Sequence, residues 1–285
     1  MQKLKVLKTP KEWAKLRLEI LSGGQSIGFV PTMGALHVGH LELVKASLDQ
    51  CDFTIVSIFI NPTQFNNPKD FETYPKTLEK DLALLDENGV HAAFVPNTET
   101  MYPTSTEMTL SFGKLEKVLE GKQRPGHFSG VGLVVSKLFN IIKPQVAFFG
   151  QKDLQQIAVI KRLVADLSFQ VDISVVPTKR EADGLACSSR NVRLSPSERK
   201  IALVLFKSLS KAKSELLAGE NWFAVRQAVE SDFQNILSTE LEYFELVHPE
   251  SFALYSSFDP NQKSSLCVAA NVGDVRLIDN LPVID

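Results

Sequence analysis

Apolar residues in this chain recur at helical spacing in some stretches and crowd into short solid runs in others, and the two kinds of stretch alternate. Trp13, Leu16, Ile20 and Leu21 form one stripe at intervals of one to four residues, the pattern of a helix with a single buried face. Thr9, Pro10 and Glu12 ahead of them make a capping box with proline suited to the first helical position, and Ser22-Gly23-Gly24 ends it. Residues 27–30 read as a short buried strand, and Leu41, Val44 and Leu48 mark the face of a following helix. Residues 53–60 are almost wholly apolar, as strands covered on both faces of a parallel sheet tend to be. A long polar stretch, 61–74, precedes a helix carrying Leu78, Leu82 and Leu85 that stops at Asn88-Gly89. The pattern then predicts a strand over 90–95, a helix over 131–142, a strand over 146–149, a helix over 154–167 and a strand over 171–176. Such alternation implies an α/β fold built on a doubly wound parallel sheet.

After Pro177 the rhythm changes. Ser195-Pro196-Ser197-Glu198 is a second capping box, opening a helix to about residue 218, and another helix covers 222–237. Strand-like runs over 241–247, 265–271 and 275–278 follow with no helix between them. This predicts two domains, 1–177 and a smaller α+β domain over 178–285, in keeping with a length of 285 residues.

Charge and composition remove several classes of function. Thirty-one Lys and Arg against 33 Asp and Glu, with no block of one sign, supply no basic stripe for nucleic acid. No apolar run reaches the roughly 18 residues of a membrane span, and the first nine residues contain no signal-peptide core. Three widely spaced cysteines, Cys51, Cys187 and Cys267, form no C-x-x-C pair. A reducing, cytoplasmic setting is expected.

In doubly wound sheets ligands bind beyond the carboxyl ends of the strands, which directs attention to the loops after Val30, Ile60, Phe149 and Val176. The first reads Pro31-Thr32-Met33-Gly34-Ala35-Leu36-His37-Val38-Gly39-His40. Gly34 and Gly39 permit close backbone approach, a helix N-terminus offers unpaired N–H groups, and His37 and His40 stand three residues apart to face one anion. A strand-to-helix loop that merely contains two histidines is the plainer alternative. Gly150-Gln151-Lys152-Asp153 supplies a lysine for a phosphate, and Cys187-Ser188-Ser189-Arg190 adds two hydroxyls and a guanidinium fork. A solvated lysine and an ordinary turn are the alternatives there. Neither G-x-G-x-x-G nor G-x-x-x-x-G-K-[ST] is present.

H-x-G-H after the first strand, with a later Lys/Ser/Arg loop, resembles the nucleotidylyltransferase superfamily. Within it, P-T-M-G-A-L-H-V-G-H, F-I-N-P-T-Q-F, Y-P-K-T, R-P-G-H-F, F-G-Q-K-D-L-Q-Q and G-L-A-C-S-S-R-N, in this order, resemble the pantoate–β-alanine ligase family from about residue 30 to 191 and again near Leu277-Ile278-Asp279-Asn280. The resemblance implies a Rossmann-like catalytic domain and a second domain closing over the ATP site. It implies ATP-dependent adenylation of (R)-pantoate followed by attack of β-alanine, with Mg2+ bridging the phosphates. It gives His37 and His40 to the triphosphate, with His37 a candidate proton donor, and counts Lys152, Ser188, Ser189 and Arg190 among the reacting groups. Residues 33–40, Gly150, Gln151, Lys152, Asp153, the Lys179 backbone and residues 187–190 would line the ATP site. Gln64 and Gln156 would hold pantoate, with Pro31, Met33 and Phe59 as an apolar wall. Asn61, Tyr74, Arg124 and His127 fall in matching motifs and are expected only in bordering loops. Asp81 is a candidate metal ligand, although a solvated helix carboxylate is the reading the sequence favours. Gln151 stands where the family usually has Glu, and Cys187 is expected simply to pack. The family is usually dimeric. Another H-x-G-H adenylyltransferase and a non-catalytic nucleotide sensor stay open as alternatives.

Overall fold

The computed structural model of the chain describes residues 3–66 and 71–285, so positions 67–70 of the polar stretch and the first two residues lie outside the described part. Two compact units emerge: residues 1–150 with 159–176, and residues 151–158 with 177–285. The segment 151–158, which precedes residue 178 in the chain, groups with the second unit.

The first unit is built on six parallel strands: β1 (Lys5–Leu7), β2 (Ile27–Thr32), β3 (Phe53–Ile58), β4 (Ala92–Phe94), β5 (Val146–Gly150) and β6 (Asp172–Val176), in the spatial order β1-β4-β3-β2-β5-β6. Chain order runs one way from β2 through β3 to β4 and the other way from β5 to β6, so the sheet's switch point lies between β2 and β5. That is where ligands collect in such sheets. The longer helices are α1 (Pro10–Ser22), α2 (Val38–Gln50), α3 (Leu78–Glu87), α4 (His127–Ile142) and α5 (Leu154–Asp166), the last of which begins among the residues of the second unit. The capping box at Thr9 and Glu12 forms. Trp13 is fully buried and its indole N–H donates to the Ile142 carbonyl at 3.1 Å.

Strand β1 has no counterpart in the sequence pattern. Its three residues are too few for a period, and it is defined instead by backbone pairing, Val6 opposite Ala93, with Val95 N–H donating to the Leu7 carbonyl at 2.7 Å. Helix α4 begins four residues before its expected start, after Gly126 in a left-handed conformation. Two expected stripes are rotated. In α2 the buried face is Leu43, Val44 and Ser47, and in α3 it is Asp81 and Leu85, while Leu78 is exposed. A polar residue has displaced leucines from the buried face in α3 because it has backbone partners to satisfy.

The second unit carries α6 (Pro196–Leu217), α7 (Trp222–Gln234) and an antiparallel sheet of β7 (Thr239–Val247), β8 (Ser264–Val272) and β9 (Val275–Ile284). The Ser195–Glu198 capping box opens α6 as expected. Leu205, Leu209, Val229, Phe233, Phe244, Leu266, Val268 and Val272 pack the helices onto one face of the sheet. Strand β9 runs six residues past its expected end at 278. Among the described residues no helix is long and apolar enough to cross a membrane.

Candidate active site

The loop between β2 and α2 is held from three directions. Gly34 and Ala35 both have positive φ, 81° and 51°, which turns consecutive N–H groups toward one side. Asp81 receives them: Oδ2 accepts from Ala35 N at 2.9 Å and Oδ1 from Leu36 N at 2.9 Å, while the Thr77 hydroxyl donates to the same carboxylate. Asp81 is 3% exposed, so it is no solvated helix carboxylate. It is a clamp on the loop. A side chain at Gly34 would press on Asp81 Oδ2 and Ile58. Thr32 completes the support, accepting from Gly34 N and donating to the Ser57 carbonyl.

His37 is the N-cap of α2. Its Nδ1 accepts from Gly39 N at 3.1 Å, and His40 Nδ1 reaches back to accept from His37 N at 3.3 Å. The two rings lie 4.0 Å apart, centre to centre. A nitrogen that accepts a backbone N–H cannot also carry a proton, so each neutral ring holds its proton on Nε2 as a donor. The histidines thus form a capping box from ring nitrogens at a helix N-terminus, the end of a helix that favours anions.

Next to this loop stands a network made mostly of neutral groups. Gln64 is 8% exposed; its Nε2 lies 2.8 Å from Met33 Sδ, and its Oε1 accepts from Asn61 Nδ2 at 3.2 Å. Asn61 also donates to the Gly130 carbonyl and accepts from the Thr63 N–H, the Thr63 hydroxyl and, at 2.8 Å, the Tyr102 hydroxyl. Burial pushes the Tyr102 phenol above its ordinary range, which keeps that proton in place. His127 Nδ1 donates to the Gln64 carbonyl at 2.8 Å, and Arg124 donates to Nε2 at 3.0 Å, which fixes a neutral tautomer opposite to that of His37. Phe59 is buried and near Tyr102, and Tyr74 packs edge-on against Phe65. Asn61, Gln64, His127 and Met33 are therefore one assembly. Asn61, Arg124 and His127 do more than border it, because they set the position of Gln64.

In the second unit Gln151, Lys152 and Asp153 form a single helical turn with Lys152 Nζ 3.7 Å from Asp153 Oδ1. Gln156 follows in the first turn of α5, half-buried. Cys187 N–H donates to the Lys179 carbonyl at 3.0 Å, and the Ser188 hydroxyl accepts from Arg190 N at the start of the turn Ser189–Arg193. Asn191 ties this loop down by donating to Glu181 and the Ala186 carbonyl, and Arg199 from α6 grips Glu181 and Asp183. Cys187 packs as expected. Burial, with Glu181 nearby, pushes its thiol above the ordinary range, which leaves little thiolate for reaction.

The family model described as pantoate-beta-alanine ligase matches residues 5–282. The chain belongs to this family. It is 49% identical over 258 residues to the pantothenate synthetase of Leptospira biflexa, covering 90% of each chain. It is 44% identical over 279 residues to that of Caldicellulosiruptor bescii, covering 98% of each. The crystal structure of pantothenate synthetase from Thermus thermophilus superposes with a TM-score of 0.92 at 40% identity, over 99% of this chain and 100% of that one. A pantoate-beta-alanine ligase from Francisella tularensis, solved with β-γ ATP and β-alanine, superposes with a TM-score of 0.81 at 35% identity, over 98% of each chain.

Three residues take supporting places that the sequence did not assign to them. Asp81 as a loop clamp, Gly130 as the helix position that abuts the Gln64 turn, and Asn280, whose amide donates to the Gln151 and Lys152 carbonyls, carry no reacting group. Their sequence signals were slight: an acid at a buried phase of an amphipathic helix, a glycine inside a helix, and a polar pair within a strand.

Proposed function

We propose that this chain condenses (R)-pantoate with β-alanine to pantothenate, using ATP and passing through pantoyl adenylate. It is an AMP-forming acid–amine ligase. The observation that carries the reading is the family match across residues 5–282, and the site chemistry agrees with it. Attack of the pantoate carboxylate on the α-phosphorus breaks the bond to the β-phosphate and places negative charge on the non-bridging oxygens and on departing pyrophosphate. The Nε2–H groups of His37 and His40 are donors of the kind that charge requires, as are Lys152, Ser188, Ser189 and Arg190. His37 serves as proton donor in this reading. Gly150, Gln151, Asp153, the Lys179 backbone and Cys187 border the nucleotide, and the loop 33–40 its phosphates. Gln64, with Gln156, meets the acid substrate through neutral amides, and Met33, Pro31 and Phe59 meet its methyl groups. An uncharged wall suits a hydroxy acid, whereas a phosphorylated acceptor calls for arginine or lysine. The β-alanine nitrogen then attacks the carbonyl carbon, and AMP leaves with the former carboxylate oxygen.

Among the described residues no cluster of three or more His, Cys, Asp and Glu is placed to hold a metal, and both Asp81 oxygens are taken by the loop. Mg2+ belongs to this reading as a companion of ATP, where it would neutralise charge on the phosphates. A homodimer belongs to this reading, to be checked by light scattering for twice the 31.6 kDa of one chain. So does a cytoplasmic compartment, which three buried cysteines suit.

The test is ATP–pyrophosphate exchange. Label should return to ATP when pantoate is present and β-alanine absent. Folded protein that binds ATP and gives no exchange with pantoate would reduce the chain to a nucleotide-binding protein and overturn the reading.

A further inference from the structure

Strand β9 carries no group that meets substrate in the reading above, yet two of its polar residues, Asp279 and Asn280, are buried to 4% exposure. Asn280 Nδ2 donates both hydrogens, to the Gln151 and Lys152 carbonyls, at 2.9 Å each. These carbonyls belong to the single helical turn that leads into α5. Meanwhile Asn280 Oδ1 is buried with no hydrogen-bond partner. A buried acceptor left unsatisfied is costly, so the amide is not there for its own packing: its work is done through Nδ2.

The backbone that presents this amide is fixed in turn. Asn280 N–H donates to Asp279 Oδ1 at 2.8 Å, and Arg180 grips the Asp279 carboxylate with two bonds, at 2.6 and 3.0 Å. Arg180 also donates to the Asn280 and Gly184 carbonyls and lies 3.9 Å from the centre of the Phe206 ring. Arg180 pairs through its backbone with Ala186, in the short ribbon where Cys187 N–H meets the Lys179 carbonyl, immediately before Ser188. One run of hydrogen bonds thus leads from the 180–187 ribbon through Arg180, Asp279 and Asn280 to the turn bearing Lys152, all within the second unit.

We infer that Asp279 and Asn280 are positioning residues for the adenylation step, holding the Lys152 turn at a fixed place relative to the Ser188–Arg190 loop. The inference rests on the functional reading above. A phosphate gripped by donors from two loops needs their spacing set in advance, because charge stabilisation falls away when a donor must first be repositioned.

The experiment measures ATP affinity by calorimetry, and ATP–pyrophosphate exchange in parallel, on the full chain. Asn280→Ala removes both hydrogen bonds to this turn and should weaken ATP binding about tenfold or more, the scale of two lost hydrogen bonds, with the pantoate KM within about twofold of wild type. In a Lys152→Ala background the same substitution should change ATP affinity less than about twofold, because the group it positions is gone. An undiminished effect in that background, or a pantoate KM that rises as much as the ATP one, marks a merely structural residue and overturns the inference. So does an Asn280→Ala protein that binds ATP normally. If Asn280→Ala does not fold, Asp279→Asn, which keeps shape and removes the negative charge that Arg180 grips, is measured in the same cycle against the same outcomes. Wild-type protein lacking exchange would sink the functional reading instead, so the two failures are distinguishable.

Discussion

His37 uses one ring nitrogen to cap a helix, and the functional reading gives the other to substrate, a division of labour that substitution can separate. Asparagine places an acceptor near the position of Nδ1 and nothing near Nε2. His37→Asn should therefore leave the thermal midpoint within a degree or two of wild type, since asparagine is a good N-cap, while pyrophosphate exchange falls about a hundredfold. A variant that kept full exchange would show that Nε2 of His37 has no part in the reaction. Asp81 makes the converse case. Asp81→Ala strands the Ala35 and Leu36 N–H groups and should cost about 3 kcal/mol in denaturant unfolding, with weakened ATP binding. The milder Asp81→Asn should leave the Mg2+ concentration needed for half-maximal exchange unchanged. A large shift in that concentration would make Asp81 a metal ligand. Composition could not disclose this role, because a carboxylate in α3 reads as solvent-facing until its two acceptor oxygens are seen against a loop 46 residues earlier in the chain.

At the scale of elements, α4 acts as a wall behind the Gln64 turn. A Cβ on Gly130 would strike the Thr63 carbonyl oxygen and lie 2.7 Å from Gln64 N, backbone atoms that cannot swing aside. Gly130→Ala should raise the pantoate KM about tenfold or more by displacing Gln64, with a smaller change in ATP affinity; equal changes in both would point to general disruption. Strand β3 carries a pH dependence. His91 stacks on Phe53 and accepts from Thr54 N through Nδ1, and burial pushes its pKa below the ordinary imidazole range. Its neutral form contributes stability that is fully present above about pH 6.5. As pH falls from there toward the lowered folded value, the unfolded chain takes up the proton first and that stability is lost. The thermal midpoint should drop between pH 7.5 and 5, and His91→Phe should flatten the drop. Elements with a strong period, such as α1 and α6 with their capping boxes, could be read from the sequence almost to the residue. Strand β1 could not, because three residues paired through their backbones leave no hydrophobic signature. Nor could the buried faces of α2 and α3, where Ser47 and Asp81 take positions that a leucine count assigns elsewhere.

Across the whole chain, a net charge of -2 conceals the local placement of donors that the family reading assigns to a triphosphate. The family reading can name those donors because H-x-G-H, Lys152 and the Ser-Ser-Arg run are short, contiguous motifs. The groups that hold them were not legible in the sequence, since Asp81, Gly130 and Asn280 act through backbone contacts between segments far apart in sequence. The central claim is that the acid is activated as an adenylate, and one isotope measurement addresses it. Pantothenate is synthesised from pantoate carrying 18O in both carboxylate oxygens, with ATP, Mg2+ and β-alanine, and the products are resolved by mass spectrometry. The account predicts AMP containing one 18O atom, transferred from the carboxylate when the amide forms, and unlabelled pyrophosphate. Label in inorganic phosphate with formation of ADP, or AMP free of label, would contradict it.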